Sequence, residues 1–119
     1  MTKVMLVEDD ANMVYLLKTL LTLEGFQVTS MEAVDKVIEQ ARTEKPDVML
    51  MDVHLVGGNG LDLLREMRTF DELKKTVAIM ASGMYVQDEA RAAGANAFLL
   101  KPFMPDDLIK VIRQNLPPQ

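Results

Sequence analysis

Val48-Met49-Leu50-Met51-Asp52 is a short, solidly apolar run that ends in a carboxylate, and Val4-Met5-Leu6-Val7 followed by Glu8-Asp9 repeats the arrangement. Runs of this length without polar alternation suit strands covered on both faces, as in a parallel sheet. A strand that ends abruptly in carboxylates delivers them to the sheet's carboxyl edge, where open α/β sheets bind ligands. Three carboxylates at one edge repel one another unless a cation joins them. With oxygen ligands and no cysteine in the chain, a hard divalent ion such as magnesium is favoured.

Outward from these two runs the chain alternates strand and helix five times. Met13, Leu16, Leu17, Leu20 and Leu21 recur at the spacing of an amphipathic helix, and Gly25 supplies its stop. Phe26-Gln27-Val28-Thr29 alternates apolar and polar residues, which suits an edge strand. Ser30 is a candidate cap for a second helix with an apolar stripe of Val34, Val37, Ile38 and Ala41. Gly57, Gly58 and Gly60 predict a flexible loop before a third helix carrying Leu61, Leu64, Met67 and Phe70. They lack the lysine and the strand junction of a phosphate-cradling loop.

Val77-Ala78-Ile79-Met80-Ala81 is a fourth strand that runs into Ser82-Gly83. A short helix from Gln87 to Ala93 stops at Gly94, and Ala97-Phe98-Leu99-Leu100 is a fifth strand ended by Lys101-Pro102. The last helix buries Leu108, Val111, Ile112 and Leu116. Residues 117–119 follow as a terminal tail or the start of a linker. Five βα units with right-handed crossovers predict an α/β, flavodoxin-like (βα)5 three-layer sandwich. Its five-stranded parallel sheet would have the order 2-1-3-4-5, with the strand at Phe26 on an edge.

At 119 residues the chain is expected to form a single domain, large enough to bury a core without staples. It contains no cysteine, so disulfide and thiol chemistry are excluded. A formal charge of −5 and a pI near 4.8 speak against a nucleic-acid-binding surface. No apolar stretch approaches the roughly 20 residues of a membrane span, and Met1-Thr2-Lys3 runs straight into a strand with no room for a signal peptide. The expected compartment is the cytoplasm.

All strands of a parallel sheet end on the same side, so Glu8, Asp9, Asp52, Ser82 and Lys101 converge on one edge. Phosphoryl transfer is the chemistry they suit, because positioning and charge neutralisation dominate it. A metal would shield the carboxylates and bridge to phosphate oxygens, Lys101 would pair with the same group, and Ser82 would donate a hydrogen bond. One carboxylate must act as nucleophile. Asp52 is the choice, since it stands alone while Glu8 and Asp9 form an adjacent pair.

These residues, in this order, resemble the receiver domain of bacterial two-component response regulators over essentially the whole chain. Glu8-Asp9 is similar to that family's acidic pair, Asp52 to its phosphoacceptor, Ser82 to its switch hydroxyl, and Lys101-Pro102 to its Lys-Pro element. Phe98 stands where the family carries its switch aromatic. The resemblance implies Mg2+ held by Glu8, Asp9, Asp52 and the backbone carbonyl of His54, and a cis Lys101-Pro102 bond. It also implies a phosphoryl donor, a sensor histidine kinase or phosphotransfer protein, and a reader, a downstream protein target or fused output domain. No direct contact with nucleic acid or membrane is expected, and homodimerisation is left open.

Two departures stand out. Val56 occupies a position that is usually proline, which predicts a looser loop after the acceptor. The segment from Ser82 to Lys101 is shorter than usual, which predicts a short or displaced fourth helix. Simpler roles compete at several positions. Asp9, Asp10 and Asn12 could cap the first helix, with Asp10 read as a first-turn acid, and the imidazole of His54 is read as an exposed loop side chain. The ten methionines are expected to be mostly core, with Met84, Tyr85 and Met104 as candidate partner contacts. The rival functions are a receiver-like interaction module that is not phosphorylated, and a Mg-dependent aspartyl-phosphate phosphatase. The chain has no long insertion to serve such an enzyme as a lid.

Overall fold

The computed structural model describes residues 1–117; Pro118 and Gln119, part of the expected tail, lie outside the described residues. The strands are β1 (Lys3–Val7), β2 (Gln27–Met31), β3 (Val48–Asp52), β4 (His54–Leu55), β5 (Gly58–Asn59), β6 (Val77–Ser82) and β7 (Ala97–Leu100). The helices are α1 (Ala11–Leu23), α2 (Val34–Glu44), α3 (Gly60–Met67), α4 (Gln87–Ala93) and α5 (Pro105–Asn115), with a 3-10 turn at Asp71–Leu73. Five strands form one parallel sheet in the order β2-β1-β3-β6-β7. Leaving out the two-residue strands β4 and β5, this is the predicted 2-1-3-4-5.

Side-chain alternation divides the core into two layers. Met5, Val7, Met49, Met51, Ala78 and Met80 face Val37, Leu61, Leu64, Met67 and Ala90 of α2, α3 and α4. Val4, Leu6, Val48, Leu50, Ile79 and Leu99 face Leu17, Leu21, Leu108 and Ile112 of α1 and α5. The central strands are apolar on both faces because both faces are covered by helices.

Two of the helices, α1 and α4, stop at glycine. At the end of α1, Gly25 adopts φ +94, and the N–H groups of Gly25 and Phe26 donate to the carbonyls of Thr22 and Leu21 (both 3.0 Å). The same pair of bonds closes α4 at Gly94, where φ is +112. As predicted, α4 is short, with seven residues.

Several local expectations are corrected. Ser30 lies within β2 and caps nothing; α2 begins after Ala33, without a side-chain cap. Asp10 is the N-cap of α1, its Oδ1 accepting from the N–H groups of Asn12 (3.0 Å) and Met13 (3.2 Å). Leu16 is exposed, because α1 turns Leu17 and Leu21 into the core and leaves Leu16 beside them at the rim. In α5, Ile109 is buried and Val111 only half-buried, and Leu116, expected in this helix, follows its end and is also half-buried.

The glycine segment is not a flexible loop. β4 and β5 pair as an antiparallel hairpin with His54 opposite Asn59 and Leu55 opposite Gly58. Its glycines also permit close packing. A Cβ at Gly58 would come 2.7 Å from Val34 Cγ1, and one at Gly60 would collide with the backbone carbonyl of Asp52. Asn59 then caps α3, its Oδ1 accepting from the N–H of Leu61 at 2.7 Å.

Candidate functional site

Strand register brings the predicted residues to one edge. Val7 pairs with Met51, Asp52 with Ala81, and Ser82 with Leu100. Glu8 therefore emerges level with Asp52, and Ser82 and Lys101 lie a rung or two beyond. The Lys101-Pro102 peptide bond is cis.

Lys101 joins the carboxylates of two other strands. Its Nζ lies 2.9 Å from Glu8 Oε2 and 3.0 Å from Asp52 Oδ2. The Glu8 and Asp52 side chains are 7 % and 13 % exposed, against 24 % for Lys101, so these ion pairs are partly desolvated and stronger than surface pairs. Burial alone pulls the Lys101 ammonium down. Hydrogen bonds and charge from Glu8 and Asp52 outweigh it, and the lysine pKa lies above its ordinary value.

Glu8, expected beside Asp9 as a metal ligand, is engaged at both oxygens. Oε2 accepts from Lys101, and Oε1 accepts from the N–H of Asp10 at 3.2 Å. Asp9 and Asp52 lean instead on the hairpin. The Val56 N–H donates to Asp9 Oδ2 at 2.6 Å, and the His54 N–H donates to Asp52 Oδ1 at 3.3 Å. Two carboxylates thus meet the same short stretch of backbone. The loop after Asp52 therefore has a hydrogen-bond anchor at Val56.

These residues fit a magnesium ion. Among the described residues no three His, Cys, Asp or Glu side chains form a metal-holding cluster. Magnesium needs none, because it commonly takes one or two carboxylates, keeps several waters and completes its shell on phosphate oxygens. Asp9 and Asp52 are oxygen donors of that type, and the His54 carbonyl belongs to the stretch they touch.

Ser82 is fully buried, and its Oγ accepts from the N–H of Met84 at 3.0 Å. Its carbonyl accepts from the Lys101 N–H at 2.8 Å, fastening the ends of β6 and β7 together. Phe98 is half-buried, sits opposite Met80 and packs against the methionine-rich layer. The His54 side chain is exposed, as are Met84, Tyr85 and Met104.

Sequence comparison decides the family. The response regulator receiver domain profile matches residues 4–113. This chain belongs to that family. The receiver domain is 31 % identical to the chemotaxis protein CheY of Thermotoga maritima, an alignment covering 94 % of this chain and 95 % of CheY. It is 32 % identical to the Escherichia coli KDP operon transcriptional regulatory protein KdpE, covering 87 % of this chain but only 46 % of KdpE. The chain thus spans nearly all of one relative and about half of the other. Among solved structures, chemotaxis response regulator CheY4 of Vibrio cholerae superimposes with a TM-score of 0.91 at 25 % identity, covering 98 % of this chain and 99 % of CheY4. The receiver domain is a phosphorylation-activated switch of two-component signalling.

One element of the receiver fold has no counterpart among the sequence expectations. Arg68, at the end of α3, donates to the carbonyls of Gly94, Leu73, Lys74 and Thr76 and to Asn96 Oδ1. Asn96 Oδ1 also accepts from the Ala78 N–H at 2.8 Å. This network lies at the amino end of the sheet, opposite the carboxylates. The only sequence signal is a charged residue directly beside the buried Met67.

Proposed function

We propose that Asp52 is the phosphoacceptor, charged by a phosphohistidine of a sensor histidine kinase or phosphotransfer protein. An Asp52 carboxylate oxygen attacks phosphorus, the P–N bond breaks, and the histidine nitrogen keeps the electron pair and takes up a proton. The product is an acyl phosphate. The observation that carries this reading is Lys101 Nζ bridging Glu8 and Asp52 at 2.9 and 3.0 Å: a cation is already aimed at the oxygen where phosphoryl charge would arrive.

Mg2+ would be held by Asp9, Asp52 and the His54 carbonyl, with Glu8 supporting from its place beside Lys101. Bound there, the ion would offset the repulsion between incoming phosphate oxygens and the acidic edge. Lys101 would move its contact from Asp52 to the phosphoryl group, and the Ser82 hydroxyl would turn from Met84 toward the same oxygens. Movement of Ser82 would open space for Phe98, so that the face formed by α4, β7 and α5 changes for its reader. This is a shift between two populations, not a new fold. The reader is a downstream protein target or a fused output domain, in the cytoplasm, with homodimerisation as one form of output.

Incubation with acetyl phosphate tests the reading by intact mass. Wild type is expected to gain one phosphoryl group only when Mg2+ is present, and Asp52→Ala to gain none. Equal labelling of the variant would assign the acceptor elsewhere. No labelling of wild type despite demonstrated Mg2+ binding would favour the unphosphorylated module.

A further inference from the structure

The hairpin turn makes a contact that phosphoryl chemistry does not require. The Val56 side chain is 78 % exposed. Its N–H makes one hydrogen bond among the described residues, to Asp9 Oδ2 at 2.6 Å. The equivalent amide on the other carboxylate, His54 N–H to Asp52 Oδ1, is longer at 3.3 Å. The hairpin therefore holds the two carboxylates unequally, Asp9 by a short amide bond and Asp52 by a long one. Asp52 is anchored on its other oxygen by Lys101 at 3.0 Å. Hydrogen bonds to a carboxylate are roughly twice as strong as neutral ones. Magnesium demands near-ideal octahedral geometry, and a carboxylate pinned at one oxygen by an amide has less freedom to turn toward the ion's positions.

We propose that the Val56 N–H is a latch on Asp9: divalent cation and hairpin turn compete for one carboxylate, and the latch lowers the domain's cation affinity. This rests on the cation site proposed above. The backbone here already suits a residue without an N–H. Gly57 has φ +88, and Val56 is not among the residues of positive φ, the pattern of a type II turn, whose first central position favours proline. Leu55 lies in β4, and extended backbone is what the residue before proline adopts. Val56→Pro therefore deletes the N–H in a compatible turn, whereas Val56→Ala keeps the N–H and removes the side chain.

Isothermal titration calorimetry with MgCl2, on wild type and both variants after thermal melts confirm folding, tests the latch. Val56→Pro is expected to lower the Mg2+ Kd about five- to tenfold, and Val56→Ala to stay within about twofold of wild type. A second readout needs no variant: hydrogen exchange of the wild-type Val56 amide should accelerate on adding Mg2+. Unchanged or weaker binding by Val56→Pro overturns the latch. So does Val56→Ala binding as tightly as Val56→Pro, or a Val56 amide that stays equally protected. A wild type that binds no Mg2+ would fail the cation site itself and the latch with it, whereas normal binding that ignores the variants fails the latch alone.

Discussion

The two ends of the sheet handle charge in opposite ways. At the amino end the Arg68 guanidinium is spread over four neutral carbonyls and the Asn96 amide. Asp47 exchanges bonds with Lys3 there (2.8 and 2.9 Å), and the Thr76 hydroxyl donates to the Pro46 carbonyl at 3.1 Å. At the carboxyl end stand three carboxylates: Glu8 and Asp52 share a single ammonium, Lys101, and Asp9 rests on the Val56 N–H. The first arrangement is complete in itself. The second carries negative charge that a cation and a phosphoryl group would together rearrange, which is where a switch needs its instability. Stability and function therefore belong to different ends of the same strands.

Substitutions can break or sharpen that division. Arg68→Ala should have the largest effect on stability, about 3 kcal/mol by denaturant melts, because it strands several carbonyls at once. Acetyl phosphate labelling of the folded variant should be unchanged, and lost labelling would dissolve the division between the ends. Lys101→Met should cost less, about 2 kcal/mol at neutral pH, since it leaves the carboxylates without their ammonium. Because the folded lysine pKa is raised, this contribution is fully present below the ordinary value of 10.5 and disappears as pH rises through the folded value. The stability gap between wild type and Lys101→Met should then be flat from neutral pH to about 10 and close above it. Asp10→Ala should be smallest, about 1 kcal/mol from a lost helix cap, with labelling intact. That result separates the capping acid from its neighbour Asp9.

Much of this was legible in the sequence, for a physical reason. Strands buried on both faces have to be continuous apolar runs, so their ends, and the residues at those ends, stand out without any structure. Gly94 marks the end of α4 equally plainly, because few other residues tolerate its φ of +112. The rest depends on partners distant in sequence. Nothing local says that Val56 will donate to Asp9, 47 residues away, or that Glu8 will choose Lys101, 93 residues away. Arg68 is the same case, one of several charges at a helix end, whose partners are mostly backbone carbonyls with no signature of their own. Gly57, Gly58 and Gly60 misled because glycine serves flexibility and tight packing alike; only Val34 and the Asp52 carbonyl, in three dimensions, distinguish the two.

The central claim is that the acyl phosphate forms on Asp52. Borohydride reduction of the Mg2+-loaded, acetyl phosphate-treated protein converts a phosphoaspartate to homoserine, which peptide mass mapping places in the chain. Homoserine at position 52 alone is the predicted result. Reduction at Asp9 instead, or no reduced residue in a protein that has gained the phosphoryl mass, would contradict it.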